Sequence, residues 1–402
     1  MRSGVLLILL IVSLVAGLST GFHLLFRLTY VLGIVLVVSF FWSWANVRWV
    51  TVTRKTRMIG AQVGQHIEER FTVTNTGFLP KLWLEIHDHS DAPGHLASNV
   101  VNLPKGRSRN WKVSTLCLQR GRFTLGPITL VSSDPFGLFR RRRKLNSTST
   151  LLVYPRVVDL SSFELPTGEL PGETRLRRRT HNITPNASGI REYAPGDSYN
   201  RIHWPTTARM GKIMVKEFEL DPSSDVWIFL DMHRDVQAGF ALESTEEYGV
   251  TIAASLAKRF LDANRSVGMV SYGQHHEIIH PDKGTRQLSK MLESLAVIRA
   301  LGDVPVAEMI VAEGQLFGRN TGLIIITPST DETWVASLQQ LGSRGVKAVV
   351  ILLEASTFGA AENSLMVVSR LATGEVPTYL VKQGDSLEQA LSTPNAGMGQ
   401  RR

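Results

Sequence analysis

Residues 188–209 read SGIREYAPGDSYNRIHWPTTAR. Arg191, Glu192, Tyr193, Asp197, Arg201, His203 and Trp204 crowd charge and aromatic rings around a Pro195-Gly196 turn, and Arg209, Lys216 and Glu217 continue the pattern. Several chemistries use these types. Asp197 and His203 could form an acid–base pair, but no Ser or Cys occupies a nucleophile-elbow context, so catalysis lacks its attacking group. Arg with Tyr or Trp could neutralise phosphate and stack on bases, yet Glu192, Asp197, Glu217 and Glu219 would repel a polyanion. That argues against nucleic acid. Arg forks also hold carboxylates in two-point hydrogen bonds, and rings stack on guanidinium planes. Exposed ion pairs contribute only about 0–1 kcal/mol each. A network that does more must be shielded, either as an internal clamp that fixes two domains relative to one another or as a partner-binding face, which predicts substantial burial of Arg191, Asp197, Arg201, Trp204 and Arg209.

Two further clusters invite a metal. FLDMHRD places Asp231, His233 and Asp235 at the end of an apolar run. HDHSDAPGH (His87, Asp88, His89, Asp91, His95) carries His-x-His, which on a strand would point both rings to one face. The plainer reading of the second cluster is a polar loop after a strand. Neither G-x-G-x-x-G nor G-x-x-x-x-G-K-[ST] occurs, which excludes nucleotide enzymes of those types. A single cysteine, Cys117, rules out an intrachain disulfide and a Cys-rich zinc site.

Four segments must position these groups. A chain of 402 residues, 43% hydrophobic and 20% charged, has the composition of a globular protein with more than one core. Val5–Leu18 and Leu28–Ala45 are apolar runs that extend to roughly 20 residues each, enough to cross about 30 Å of hydrocarbon as helices. Residues 1–46 therefore read as a transmembrane hairpin, with Trp42, Trp44 and Trp49 at an interface. Arg48, Arg54, Lys55 and Arg57 follow the second run, against Arg27 in the connector. The positive-inside rule puts both ends, and the soluble domains, on the cytoplasmic side of the cell membrane. The N-x-S/T triplets at Asn146, Asn182 and Asn186 are then not glycan sites.

From 47 to 155, period-two runs such as HIEERFTVTN and LPKLWLEIHD, punctuated by Gly, Pro, Asn and Asp, predict an antiparallel β-sandwich. The DPFG turn at 134–137 leaves Phe136 and Phe139 to plug its end. The RRRRK run, Arg140–Lys144, either meets anionic headgroups or flanks a hairpin in solvent. Residues 156–220 hold the signature stretch and a second basic run, Arg177–Arg179. From 221 to 395, strand and helix patterns alternate, which predicts a doubly wound, mostly parallel α/β sheet. The fold class is thus α+β multidomain. In such sheets ligands bind beyond the C-terminal strand ends, where Asp231 lies.

DPFGLFRRRRKL, LLVYPRVVDL, GIREYAPGDSYNRIHW and ARMGKIMVKEFE resemble the domain of unknown function 58 family. The resemblance implies a two-helix membrane anchor, a β-sandwich, the signature segment and a von Willebrand factor A-like domain. It also implies the company of MoxR-type AAA+ ATPases and other membrane proteins, hence an assembly role; the absence of catalytic motifs makes that role a non-catalytic one. Trp204-Pro205 departs from the Trp-Lys common in the family, and Pro there could replace a regular stretch with a turn. The ion site that such a domain implies, Asp-x-Ser-x-Ser with a later Thr and Asp, is degenerate: Asp231-Met232-His233-Arg234-Asp235 lacks both serines. Thr285 is a candidate for the later hydroxyl, and Asp331 comes late. A magnesium ion on Asp231, Asp235 and Thr285, serving a metal-dependent hydrolase, is the alternative to a cofactor-free interaction factor.

Overall fold

The apolar runs fold as α1 (Arg2–Thr20) and α2 (His23–Val47) in the computed structural model, which describes residues 2–56, 60–163, 165, 187–193, 202–218, 225–318, 321–359 and 362–394. Both helices are long and apolar enough to cross a membrane. Their contact is sealed by small polar groups: Thr29 donates to Ser13 at 3.1 Å, and Ser13 to the Leu25 carbonyl at 3.0 Å. Such bonds favour helix association where no water competes.

Ten strands follow: β1 (Val50–Thr56), β2 (Gly60–Gln62), β3 (His66–Asn75), β4 (Lys81–Asp88), β5 (Asn99–Leu103), β6 (Ser108–Leu116), β7 (Gly121–Leu125), β8 (Ile128–Ser133), β9 (Arg140–Leu145) and β10 (Ser149–Tyr154). They form three sheets, ordered β1-β3-β6, β2-β10-β7 and β5-β4-β8-β9. The alternation read in HIEERFTVTN is real: Ile67, Glu69, Phe71 and Val73 point inward. Phe71 and Val73 from one sheet share a core with Leu84, Ile86, Val101, Ile128 and Leu130 from another.

The end of α2 belongs to this β module. Ser43, Ala45, Asn46 and Val47 are buried. Asn46 donates to the Leu82 carbonyl and to Ser132 at 2.6 Å each, and accepts from the Leu82 amide. Lys81, fully buried, donates to the Ala45 carbonyl, and Arg143 donates to that of Val47 at 3.2 Å. A helix C-terminus leaves carbonyls unpaired and carries partial negative charge, so two cations there satisfy both needs. Phe139 packs edge-on against Phe40, but Phe136 is 60% exposed and does not plug the end of the module as its type suggested. The Asp134 carboxylate takes the Phe136 and Phe139 amides and fixes a turn too tight to fold that ring inward.

The remaining elements are β11 (Ala187–Glu192), α3 (Trp204–Met210), β12 (Met214–Phe218), β13 (Val226–Leu230), β14 (Gly239–Phe240), β15 (Glu243–Ser244), α4 (Thr245–Asp262), β16 (Val267–Tyr272), β17 (His276–Asp282), α5 (Gly284–Val297), α6 (Val306–Glu313), β18 (Gly322–Thr327), α7 (Thr333–Ser343), β19 (Lys347–Leu353), α8 (Leu365–Thr373), β20 (Thr378–Val381) and α9 (Leu387–Ala390). One sheet runs β17-β16-β13-β18-β19-β20, parallel except for β17. Continuous apolar runs form its middle because both faces are covered: every residue of β13, β16 and β18 is buried. The chain falls into two compact units. One is Met1–Val158 with Val250–Ser255 and Ser289–Ile298, and the other is Asp159–Gly249 with Leu256–Leu288 and Arg299–Arg402.

Candidate functional site

The first described part of the signature stretch pairs with the strand that follows the stretch. β11 pairs antiparallel with β12, Arg191 opposite Val215 and Glu192 opposite Met214, and the Tyr193 amide extends the ladder to the Ile213 carbonyl at 2.8 Å. Ile202 bridges Val215 from the other side, and the His203 amide bonds the Met214 carbonyl at 2.8 Å. The chain then turns into α3. Pro205 sits in its first turn, where a missing N–H costs nothing. The expected break at Pro205 is therefore a helix start. His203 Nδ1 lies 2.8 Å from Thr206 Oγ1, and the Met214 amide donates to Thr207 Oγ1 at 3.0 Å. Gly211 ends the helix at φ 65°, a conformation that favours glycine.

No residue of α3 is buried. Trp204 is 68% exposed, Met210 63% and Ile213 45%, and Arg209 is exposed as well. This corrects the expectation that Trp204 and Arg209 are shielded. The short helix is held by its Gly211 C-cap and by the bond from the Met214 amide of β12 to Thr207, so its side chains need no core. Glu192 pairs with Lys212 at 3.3 Å, both well exposed. Pro195, Gly196, Asp197 and Arg201 lie outside the described residues, as do Arg177–Arg179; Arg191, Lys216 and Glu217 are placed by backbone register alone.

At the end of β13, Asp231 is 3% exposed. Its Oδ2 accepts from Thr327 Oγ1 at 2.6 Å and its Oδ1 from the His233 amide at 3.0 Å. Burial pushes its carboxyl above the ordinary value, against the pull of the Thr327 and His233 hydrogen bonds. The Gln237 side chain donates to the Asp231 carbonyl at 3.0 Å and accepts from Thr245 at 2.7 Å. Asp235 points out, its side chain 71% exposed. Thr285 is exposed at the start of α5, after β17. Because β17 runs antiparallel, Asp282 faces Val267, where β16 begins, while Asp231 follows the strand's other end. The residues proposed for magnesium do not converge and do not fit the ion. Among the described residues no three His, Cys, Asp or Glu side chains form a metal-holding group. The hydroxyl that does reach Asp231 is Thr327, on the neighbouring strand.

Residues 189–354 match the family described as Protein of unknown function DUF58. The match covers less than half of the chain. The chain is similar to the uncharacterized protein YeaD of Bacillus subtilis (strain 168), 22% identical over 285 residues that cover 69% of this chain and 67% of the relative. Among solved structures it is similar to proximal thread matrix protein 1 from the mussel byssus (11% identity, 43% of this chain and 47% of that one, TM-score 0.32). Another is the CARDB domain of a Pyrococcus furiosus protein (16% identity, 26% and 91%, TM-score 0.20). The matched stretch thus includes most of β11, all of α3 and the Asp231 strand end.

A group that the motif reading missed lies outside the DUF58 stretch. Arg54, Glu69, Asp88 and His95 have side chains no more than 4% exposed. Arg54 Nε lies 3.4 Å from Glu69 and its Nη2 bonds Asp88. His95 Nε2 lies 2.8 Å from Asp88, and its Nδ1 2.9 Å from Thr115 Oγ1 and 3.4 Å from Glu69. Burial raises the Glu69 carboxyl, more than Arg54 and His95 lower it. Burial also pushes Asp88 up, but the His95 bond and Arg54 outweigh it and hold that carboxyl below its usual value. Glu69 and His95 also line a small pocket with Cys117, roomy enough for about one water molecule. HDHSDAPGH is, as expected, a loop that follows a strand, from His89 onward, and it also contributes Asp88 and His95 to a buried ionic centre, while His87 pairs with Glu85 and His89 with Thr129. A signal was available. Arg54 falls in phase with Val50 and Val52, Glu69 with Ile67 and Phe71, and Asp88 with Leu84 and Ile86. A charge in the apolar phase of a strand has to be paired.

Proposed function

We propose that the protein is a membrane-anchored, non-catalytic interaction factor. In this reading α1 and α2 span the cell membrane, and the β module is a sandwich beneath it on the cytoplasmic side. A von Willebrand A-like domain carries the signature segment, which meets a partner. The exposure of Trp204 carries the proposal. Trp204, with Met210, Ile213 and Arg209 exposed in the same short segment, supplies residue types that dominate binding hot spots. An internal clamp would have covered it. The exposed, outward-pointing Asp235 and the position of Thr285 after β17 weigh against the hydrolase alternative, because they leave Asp231 without the proposed co-ligands. The partner that the family resemblance implies is a MoxR-type AAA+ ATPase, with other membrane proteins in the assembly.

The test is cross-linking in native membranes followed by recovery of that ATPase. Trp204→Ala combined with Arg209→Glu should abolish recovery while leaving the unfolding temperature within about a degree, as expected for exposed substitutions. Undiminished recovery would refute the assignment of the face.

A further inference from the structure

The end of the β module that receives α2 is ringed by apolar side chains with no cover. Phe78 is 63% exposed, Trp83 73% and Phe136 60%. Each is held beside the last turns of α2. Phe78 lies 5.6 Å, centroid to centroid, from Trp49, which in turn packs edge-on against Trp44 of α2. Trp83 follows Leu82, whose carbonyl and amide both bond Asn46. Phe136 tips the turn whose Phe139 packs against Phe40. Trp83 also adopts φ 51°, unusual for a bulky residue. From this turn runs β9, the outer strand of its sheet, with Arg140 through Lys144 exposed. It follows α2: Arg141 lies 4.9 Å from the Phe40 ring centroid, and Arg143 reaches the Val47 carbonyl.

We infer that this end of the module is a docking surface for an anionic lipid leaflet, in which Phe78, Trp83 and Phe136 enter the interface and the β9 cations meet phosphate. The inference rests on reading α1 and α2 as membrane spans and fixes the depth at which the module sits. The 20 residues from His23 to Trp42, at 1.5 Å each, give about 30 Å, the thickness of the hydrocarbon. Phe40 then lies just inside the boundary, so the turn bearing Phe136 reaches the headgroup layer. Aromatic rings prefer that layer, and guanidinium groups on apolar stems reach phosphate from it. Basic side chains also protect an edge strand from pairing with another chain. That role needs no aromatic collar.

The test uses the full chain in vesicles of phosphatidylcholine and phosphatidylglycerol, in a Cys117→Ser background. An environment-sensitive fluorophore is placed by Phe136→Cys, by Val12→Cys within α1, or by Ser147→Cys at the far end of β9. Lipids spin-labelled near the headgroup supply the quencher for 136 and 147, and lipids spin-labelled deep in the acyl chain supply it for 12, which lies at mid-span. Quenching at 136 and not at 147 is expected. Quenching at 12 without quenching at 136 overturns the docking surface while leaving the spans intact. Quenching at neither 12 nor 136 overturns both readings. In a second measurement, Arg142→Gln with Lys144→Gln should reduce phosphatidylglycerol retained by the detergent-solubilised protein, seen by native mass spectrometry, by roughly fivefold per charge removed. Unchanged retention overturns the anionic preference.

Discussion

Replacing Arg54 with Met tests the buried ionic centre most directly. Arg54 is the permanent cation between Glu69 and Asp88, and all three side chains are at most 4% exposed. Met keeps much of the apolar stem and removes the charge. The carboxylates are then left facing each other and His95 in a medium that solvates charge poorly. Breaking a buried pair in this way costs about 3–5 kcal/mol. Since about 1.4 kcal/mol is a factor of ten, amide exchange in β1, β3 and β4 should quicken by roughly two to nearly four decades. Hydrogen-exchange mass spectrometry of the full chain in detergent reads this locally, without assuming that several modules unfold together. Arg54→Met with Glu69→Gln and Asp88→Asn removes all three charges and should recover most of the loss. If the triple variant exchanges as fast as the single one, the loss is steric and the electrostatic argument fails. The two carboxyls have opposite signs: Glu69, held high, favours the folded form below its unfolded value and loses that contribution as pH rises, whereas Asp88 does the reverse. Asp88 is held low, so its contribution is present above the unfolded value of about 3.9 and fades as pH falls through the lower folded value. Without Arg54 both carboxyls rise, the folded form binds protons more tightly, and the variant regains stability as pH falls toward about 4. The two stability curves should therefore converge in acid.

Two other substitutions probe the Asp231 strand end and its neighbourhood. Gly302→Ala would place a Cβ 2.0 Å from the Tyr272 carbonyl oxygen, where Gly302 also bonds Met232 and Arg234. It should destabilise by about 3 kcal/mol and open the loop after β13 to limited proteolysis; wild-type resistance would contradict the packing. Thr327→Val keeps the shape but removes the hydroxyl that donates to Asp231 Oδ2. It should cost about 1–3 kcal/mol and raise the Asp231 carboxyl further, read as faster exchange in β13 and β18.

Much of the architecture was legible because burial imposes a period. HIEERFTVTN alternates since one face of β3 packs, and DVWIFLD does not alternate since β13 lies mid-sheet with both faces covered. The ionic centre was hidden by distance: its members come from positions 54, 69, 88 and 95, and only strand pairing assembles them. Trp204 and Arg209 were misjudged from residue type alone. A large ring usually finds a core, but a seven-residue helix fixed by its ends leaves such a ring outside. Thr327 escaped for a similar reason. Proximity to Asp231 follows from the parallel register of β13 with β18, and sequence order gives no hint of it.

The lock between α2 and the β module also has a mechanical side. Lys81, Asn46 and Arg143 grip the helix end directly, so that no slack separates the two, and α2 acts as a shaft with the module as its lever arm. A strand as long as β3 measures about 34 Å, so tilting the shaft by about 10° swings the far end of the arm by about 6 Å. In the proposed membrane-anchored arrangement, a change of bilayer thickness that α2 takes up by tilting would then be read out as a displacement at the opposite end of the module.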